Sequence, residues 1–163
     1  MTSFRVAALA IVVSLVPVYT IAQEITLGLG ATDFRDDGED SAIFEFEYRH
    51  RPFFERRRFS TAIGATASVT GKGDLFVGAG IWNRFQFENG VFIESSFMPG
   101  LSNAGTTNND LGSTLEFRSL LGVGYKFDNA RAISAGLAHK SNAGLGDDNP
   151  GLNTLSIRYH ISF

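Results

Sequence analysis

The chain has 163 residues, a formal net charge of −3 at neutral pH and no cysteine. The lack of cysteine excludes disulfides, thiol chemistry and cysteine-based zinc sites, and the lack of a basic excess argues against a nucleic-acid partner. Eighteen glycines and fifteen phenylalanines against four prolines favour strands and tight turns over helices.

The first predicted element is an export signal. Arg5 precedes an apolar stretch over 6–18, and Thr20 and Ala22 occupy the −3 and −1 positions of a cleavage site before Gln23. The apolar stretch is too short for a membrane-spanning helix, which needs about 20 residues. We therefore expect residues 1–22 to be a signal peptide and residues 23–163 to form one exported domain.

An alternation of apolar and polar residues with period two runs along most of the remaining chain and predicts strands. The fourth run is irregular, because Asn83 falls on the apolar parity and Trp82 on the other. Eight strands are predicted, long enough to cross a bilayer when tilted, which takes about 9–11 residues. They cover about 24–31, 42–49, 59–69, 75–87, 91–101, 114–127, 131–140 and 152–163.

Three features favour a membrane barrel over a soluble β-sandwich, which would alternate in the same way. Charged residues fall on the parity opposite the large apolar ones, as a polar lumen and a lipid-facing exterior require. Short turns at 52–57, 88–90 and 128–130 alternate with polar loops. The chain ends in "LSIRYHISF", which resembles the terminal strand signal of bacterial outer-membrane proteins. We predict an all-β fold, an eight-stranded antiparallel outer-membrane β-barrel.

The same pattern assigns the remaining segments to the two ends and the interior of the barrel. With Gln23 in the periplasm, the outward loops are 33–40, 71–74 (unexpectedly short), 102–111 and 142–151. "ERRR" at 55–58 is predicted to be a solvated periplasmic turn. The interior is expected to be filled by side chains rather than open as a pore. Its predicted members are a charge network of Glu45, Glu47, Arg49, Glu116 and Arg118, while His50 and His160 are expected to be structural.

The strongest chemical signal lies near the end of the chain. His139 and Ser141 continue the lipid-facing parity of the seventh strand, and Asn153 has the lipid-facing parity of the eighth, so we expect the three to cluster at the membrane surface. A serine beside a histidine base has the parts for attack on an ester. The loop "SNAGLGDDNPG" offers backbone N–H groups and the amides of Asn142 and Asn149 for an oxyanion. On spacing alone, a polar strand end at the interface is the alternative interpretation.

"HKSNAGLGDDNPG", with "EFRSLLGVGYKF" upstream, resembles the outer-membrane lipid A 3-O-deacylase family of the PagL type. The resemblance is strongest over about 112–163. It implies an eight-stranded barrel in the bacterial outer membrane, with an exterior serine esterase site that removes the 3-linked acyl chain of lipid A (lipopolysaccharide) and needs no metal or cofactor. Its implied site residues are His139 as base, Ser141 as nucleophile, and Asn142, Gly144 and Asn149 as loop and oxyanion elements.

The chain departs from that family at Asn153, where the pattern has a glutamate that orients the histidine. An asparagine can hold an imidazole by a hydrogen bond but cannot stabilise the imidazolium by charge, and the equivalent change costs roughly 10⁴ in turnover in the serine-protease template. Asp147 and Asp148 are candidate substitutes. Two alternatives therefore stay open: an inactive outer-membrane barrel with a structural or adhesive role, and a soluble exported sandwich or lipid carrier. The sequence also leaves open whether the chain forms a homodimer.

Overall fold

The computed structural model describes residues 23–32, 40–107, 110–146, 149 and 151–163. The predicted signal peptide at 1–22, most of the first outer loop, and Asp147 and Asp148 lie outside these described residues. The described part of the chain has no helix long and apolar enough to cross a membrane. It contains the strands β1 (Glu24–Thr32), β2 (Ser41–Arg49), β3 (Phe54–Arg56), β4 (Phe59–Thr70), β5 (Leu75–Gln86), β6 (Val91–Asn103), β7 (Leu115–Lys126), β8 (Arg131–Ser141) and β9 (Leu152–Ser162).

Eight of these strands close into one antiparallel ring. The strands β4 to β9 pair in chain order, β9 pairs with β1, and β1 pairs with β2. The ring closes because β2 also pairs with β4, from Ile43 opposite Thr70 to Arg49 opposite Gly64. The predicted eight-stranded barrel is therefore confirmed, and a two-sheet sandwich is excluded.

The remaining strand, β3, corrects the predicted turn at 52–57. The chain leaves β2 at Arg49, passes through a bulge that contains Pro52, and pairs again with β4 so that Phe54 lies opposite Thr61. A proline has no N–H to donate to a ladder, so a bulge is a position where it fits. The turn itself is confined to Arg57 and Arg58, between β3 and β4.

Side chains are sorted by alternation as the sequence predicted. In β2, Phe44 and Phe46 are exposed, while Glu45 and Glu47 are buried in the barrel interior. The irregular run that becomes β5 keeps the same parity, because Trp82 is buried at 3% exposure. The guanidinium groups of Arg49 and Arg84 lie over its ring, 3.9 and 4.6 Å from the centroid. A cation–π environment explains why the chain's one tryptophan lies inside a polar lumen.

The middle of the lumen is filled by paired charges. Arg118 donates to Glu45 at 2.6 Å and to Glu47 at 2.9 Å. Arg158 is fully buried and pairs with Glu47 and with Glu94, the latter at 3.0 Å. A charge taken out of water costs several kcal/mol unless it is paired and hydrogen-bonded. Each buried arginine in this network must therefore lie beside glutamates. Of the predicted members, Glu45, Glu47 and Arg118 are joined here, and Arg158 and Glu94 extend the network. Glu116 pairs instead with Lys140, at 2.8 Å.

A second cluster fills the lumen near Gln23 and Phe163, whose backbones pair with each other. Glu24 accepts hydrogen bonds from Arg49 at 2.8 Å and from Arg84 at 2.9 Å. His160 is buried against the same carboxylate, with Nδ1 2.9 Å from Glu24, and its Nε2 lies 2.8 Å from the Ser134 hydroxyl. These contacts agree with the structural role that was predicted for His160 from its inward parity.

Candidate active site

The site is built on the register of the last hairpin, in which His139 on β8 lies directly opposite Asn153 on β9. His139 is exposed, and its Nδ1 is 3.0 Å from the Oδ1 of Asn153. A carboxamide oxygen can only accept, so Nδ1 carries the proton in this contact. The lone pair of Nε2 is then available, which is the tautomer that a general base requires.

Ser141 ends β8 on the same outward face as His139, opposite Phe117 of β7. Two residues along a strand correspond to about 7 Å, so the two side chains are neighbours on the surface. Among the described residues, no hydrogen bond joins the Ser141 hydroxyl to His139. Such bonds are often long in unliganded hydrolases and shorten when substrate binds. The structure thus joins His139 to Asn153 and leaves Ser141 adjacent to the pair.

Asn142, which follows the serine, is fully buried rather than presented to the surface. Its Nδ2 donates to the carbonyl of Leu111, which belongs to the loop before β7, and its Oδ1 accepts from the N–H of Gly144 at 2.7 Å. The carboxamide is therefore engaged on both sides by the loops. Asn142 ties the segment after Ser141 to the neighbouring loop.

Residues 142–145 form a tight turn of the type that needs two left-handed residues. The N–H of Leu145 donates to the carbonyl of Asn142 at 3.1 Å, while Ala143 and Gly144 have φ of 54° and 78°. This is the pattern of a type I′ turn. The exposed Asn149 accepts from the N–H of Asn142 at 3.2 Å and so fixes the start of the turn. In the described part of the chain, the N–H of Ala143 has no hydrogen-bond partner.

Ser119 of β7 adjoins the site, although the sequence pattern did not indicate it as a site residue. It lies directly opposite His139, on the outward face. Counting both strands outward from the turn at 128–130 would have revealed this pairing.

The described residues contain no group of three or more histidines and carboxylates that could hold a metal ion, and Asp147 and Asp148 are outside that part of the chain.

Gly151 is the second residue of the site that the sequence pattern did not indicate. It has a φ of 70°, and a Cβ placed on it would lie 2.8 Å from the Cε1 of His139. The imidazole therefore rests against bare backbone. No periodicity marks such a contact, because it depends on where the loop re-enters β9.

An apolar groove begins one step deeper on the same face. Leu121, Leu137 and Leu155 lie opposite one another in successive ladders, two residues below Ser119, His139 and Asn153. With Ala135 and neighbouring residues they line an open groove of about 420 Å³. A second groove of about 320 Å³, bordered by Tyr125 and Ile133, continues it toward the short turns. An apolar channel of this kind on a lipid-facing surface suits a hydrocarbon chain.

Comparisons with known proteins identify a family and a fold. The family model described as lipid A 3-O-deacylase (PagL) matches residues 44–162. Lipid A deacylase PagL of Pseudomonas aeruginosa is 35% identical over 71 residues, which cover 43% of this chain and 41% of that protein. The match therefore spans about two fifths of that relative's length.

Two solved structures show the same fold at low identity. The crystal structure of the outer membrane enzyme PagL has a TM-score of 0.70 and 22% identity, with 85% of this chain and 98% of that chain covered. Neisserial surface protein A has a TM-score of 0.54 and 13% identity, with 87% and 96% covered. Identities this low carry the fold alone.

Proposed function

We propose that this chain, which belongs to the lipid A 3-O-deacylase (PagL) family, hydrolyses the 3-linked acyl ester of lipid A in the bacterial outer membrane. The observation that carries the proposal is the pair of His139 and Asn153, with Ser141 on the same lipid-facing side of a closed barrel. A nucleophile and a base at that position are accessible to an ester held in the membrane surface.

The proposed reaction is acyl transfer through the serine. The Nε2 of His139 takes the proton from the Ser141 hydroxyl as its oxygen attacks the ester carbonyl, and returns that proton to the departing alcohol of lipid A. Water then attacks the acyl-serine with the same histidine as base, which releases the fatty acid. Asn153 holds the imidazole in the required tautomer through its Oδ1.

The oxyanion is assigned to the backbone of the turn after the serine. The amide of Asn142 is buried and engaged, and the N–H of Gly144 is donated to it. The N–H of Ala143, two residues from Ser141, is the donor that we assign to the developing charge. Asn142, Gly144 and Asn149 then act by holding this turn.

The substrate's position follows from the groove. The site lies at the end of the barrel that carries the long loops, which face outward in barrels of this kind. An acyl chain that leaves the site along Leu121, Leu137 and Leu155 would run toward the membrane centre. This favours an ester of the outer leaflet, where lipid A resides, over a water-soluble substrate.

The second candidate is a barrel that has lost the activity and serves the membrane structurally or by adhesion. One observation favours it: the partner of His139 is an amide and carries no charge. The hydrogen bond itself favours the enzyme, because it holds the imidazole on the face that carries Ser141.

The test is mass spectrometry of lipid A after incubation with the refolded protein, beside Ser141→Ala. We expect the loss of one 3-linked acyl chain, at a rate that falls at least about 10³-fold in the variant. Heat-modifiable gel migration checks that both proteins are folded. Lipid A left intact by a folded wild-type barrel would instead support the structural or adhesive role.

A further inference from the structure

The β3–β4 hairpin, residues 51–61, lies at the end of the barrel that carries Gln23, Phe163 and the short turns, far from the proposed deacylase site. Barrels of this kind place their short turns in the periplasm. The segment 51–58 contains four arginines against one glutamate, a net charge of +3 in a chain whose total is −3. Every residue of β3 is exposed, as are Arg57 and Arg58. Basic charge is concentrated here on one side of the barrel.

The hairpin separates its charges between two faces. Arg56 lies opposite Phe59, and Phe54 opposite Thr61, so these side chains share the lipid-facing side of the sheet. Glu55 lies opposite Ser60 and lines the barrel mouth instead. The lipid-facing side of β3 therefore carries a cation and an aromatic ring without a carboxylate.

An open groove of about 450 Å³ lies on this side, bounded by Arg56, Arg57, Arg58, Phe59 and Phe85. Phe59 and Phe85 face each other across the ladder and form its apolar wall. Arg58 pairs with Glu88, so Arg56 and Arg57 are the cations that an incoming anion would meet.

The aromatic residues set the depth of the groove in the membrane. Phe53 and Phe54 are 62% and 48% exposed, and Phe54 packs edge-on against Phe59 with ring centroids 6.3 Å apart. Exposed aromatic rings at a barrel rim are typical of the membrane–water interface. The arginines beside them then lie at the level of lipid headgroups.

Arg57 lies in the two-residue turn of the hairpin. Its φ is 53°, in the left-handed region that glycine adopts much more readily. The backbone alone would favour glycine at this turn, so replacing Arg57 by glycine removes the guanidinium group without straining the hairpin. That side chain borders the groove and also reaches the barrel mouth that Glu55 lines.

We propose that this groove binds the phosphate headgroup of an anionic phospholipid in the periplasmic leaflet. Arg56 and Arg57 hold the phosphate, since guanidinium groups match phosphate oxygens with paired hydrogen bonds. Phe59 and Phe85 contact the start of the acyl chains. The site is independent of the deacylase site, which lies on β8 and β9 at the other end of the barrel.

The experiment is native mass spectrometry of the refolded full chain released from micelles that contain either phosphatidylglycerol or phosphatidylcholine. We expect phosphatidylglycerol to be retained preferentially. Arg56→Gln and Arg57→Gly should each lower its affinity about five-fold, the effect typical of one arginine near an anionic surface. Arg131→Gln is the matched control, since Arg131 is also exposed at the short-turn end, on β8 away from the groove, and should leave retention unchanged.

Three results would overturn the proposal. The first is equal retention of the two lipids. The second is an equal loss in Arg131→Gln, which would indicate diffuse electrostatics. The third is binding of inorganic phosphate alone with the same dependence on Arg56 and Arg57. Because glycine suits the backbone at position 57, Arg57→Gly is expected to fold normally, and a folded Arg57→Gly barrel with undiminished lipid binding counts against the site.

Discussion

His139 and Asn153 occupy directly opposed positions on β8 and β9, and the Nδ1 of the imidazole lies 3.0 Å from the Oδ1 of the amide. The contact supplies two of the three things that a triad acid supplies: it fixes the ring and selects the tautomer. It does not supply negative charge for the imidazolium that forms when Ser141 is deprotonated. Position 153 therefore determines how fast the proposed reaction runs.

Asn153→Glu is expected to raise the rate of acyl release from lipid A, by up to about 10⁴-fold if the serine-protease template holds. A carboxylate keeps the hydrogen bond to Nδ1 and adds the missing charge. Asn153→Leu, of similar size, should fall below the wild type because nothing then selects the tautomer. Initial rates measured by mass spectrometry of the released fatty acid distinguish the three proteins.

Adding Ser141→Ala to the Asn153→Glu protein is the control for that series. The double variant should lose the gain entirely, because the charge acts through the serine–histidine pair. If the glutamate and leucine variants both match the wild type, Asn153 has no part in the reaction.

Gly151→Ala is expected to lower kcat by about 10²-fold with little change in KM, since displacement of a catalytic group by about 1 Å has an effect of that order. The new Cβ would stand 2.8 Å from the Cε1 of His139 and push the ring from Asn153. The matched control is Gly73→Ala, at a φ of 90°, where a Cβ would meet only the Cα of Gly105 at 3.8 Å. Both changes strain a left-handed backbone, so both should lower stability similarly.

Steady-state kinetics on short-chain ester substrates and denaturant unfolding separate these two effects. An equal loss of activity in Gly73→Ala would mean that general destabilisation, and not the position of the imidazole, is responsible.

Ala135→Leu is expected to shift the acyl-chain preference of the proposed deacylation toward shorter chains. Ala135 points outward and lines the groove four residues from His139, so a larger side chain would fill the groove below the site without entering the lumen. Ala79→Leu is the matched control, because Ala79 also points outward, on β5 across the barrel. Lipid A species with long and short 3-linked chains are offered together, and the ratio of released acids is measured. An unchanged ratio in Ala135→Leu would place the acyl chain elsewhere.

The fold could be predicted from the sequence because one physical requirement dominates it. The side chain of Phe44 must face lipid and that of Glu45 must not. The alternation with period two therefore predicts both the strand and the face on which each side chain lies. Trp82 and Asn83 interrupt that pattern, because the residues that stabilise their positions lie on other strands. Arg49 and Arg84 lie over the Trp82 ring, and Thr61 donates to the amide of Asn83. Such partners are specified by register, which a single run does not reveal.

The candidate site was predictable only where it lies on strands. His139 and Asn153 could be paired by parity and antiparallel order. The engaged state of Asn142 depends on the carbonyl of Leu111, 31 residues earlier in the chain, and the approach of Gly151 to His139 depends on a loop conformation. Both contacts involve a loop residue, and loops carry no alternation from which such a contact could be predicted.

Arg158→Leu is expected to lower the free energy of unfolding by about 3–5 kcal/mol, the usual cost of removing one partner from a buried ion pair. Arg158 is fully buried between Glu47 and Glu94, and its loss leaves both carboxylates with fewer donors in the middle of the lumen. Arg131→Leu removes an exposed arginine and should change stability by no more than about 0.5 kcal/mol. Reversible urea unfolding in lipid vesicles gives both values.

Combining Arg158→Leu with Glu94→Gln should lower the free energy of unfolding by less than the sum of the two single changes, since the second change removes a charge that the first has left unpaired. Strict additivity would show that Arg158 and Glu94 are not coupled.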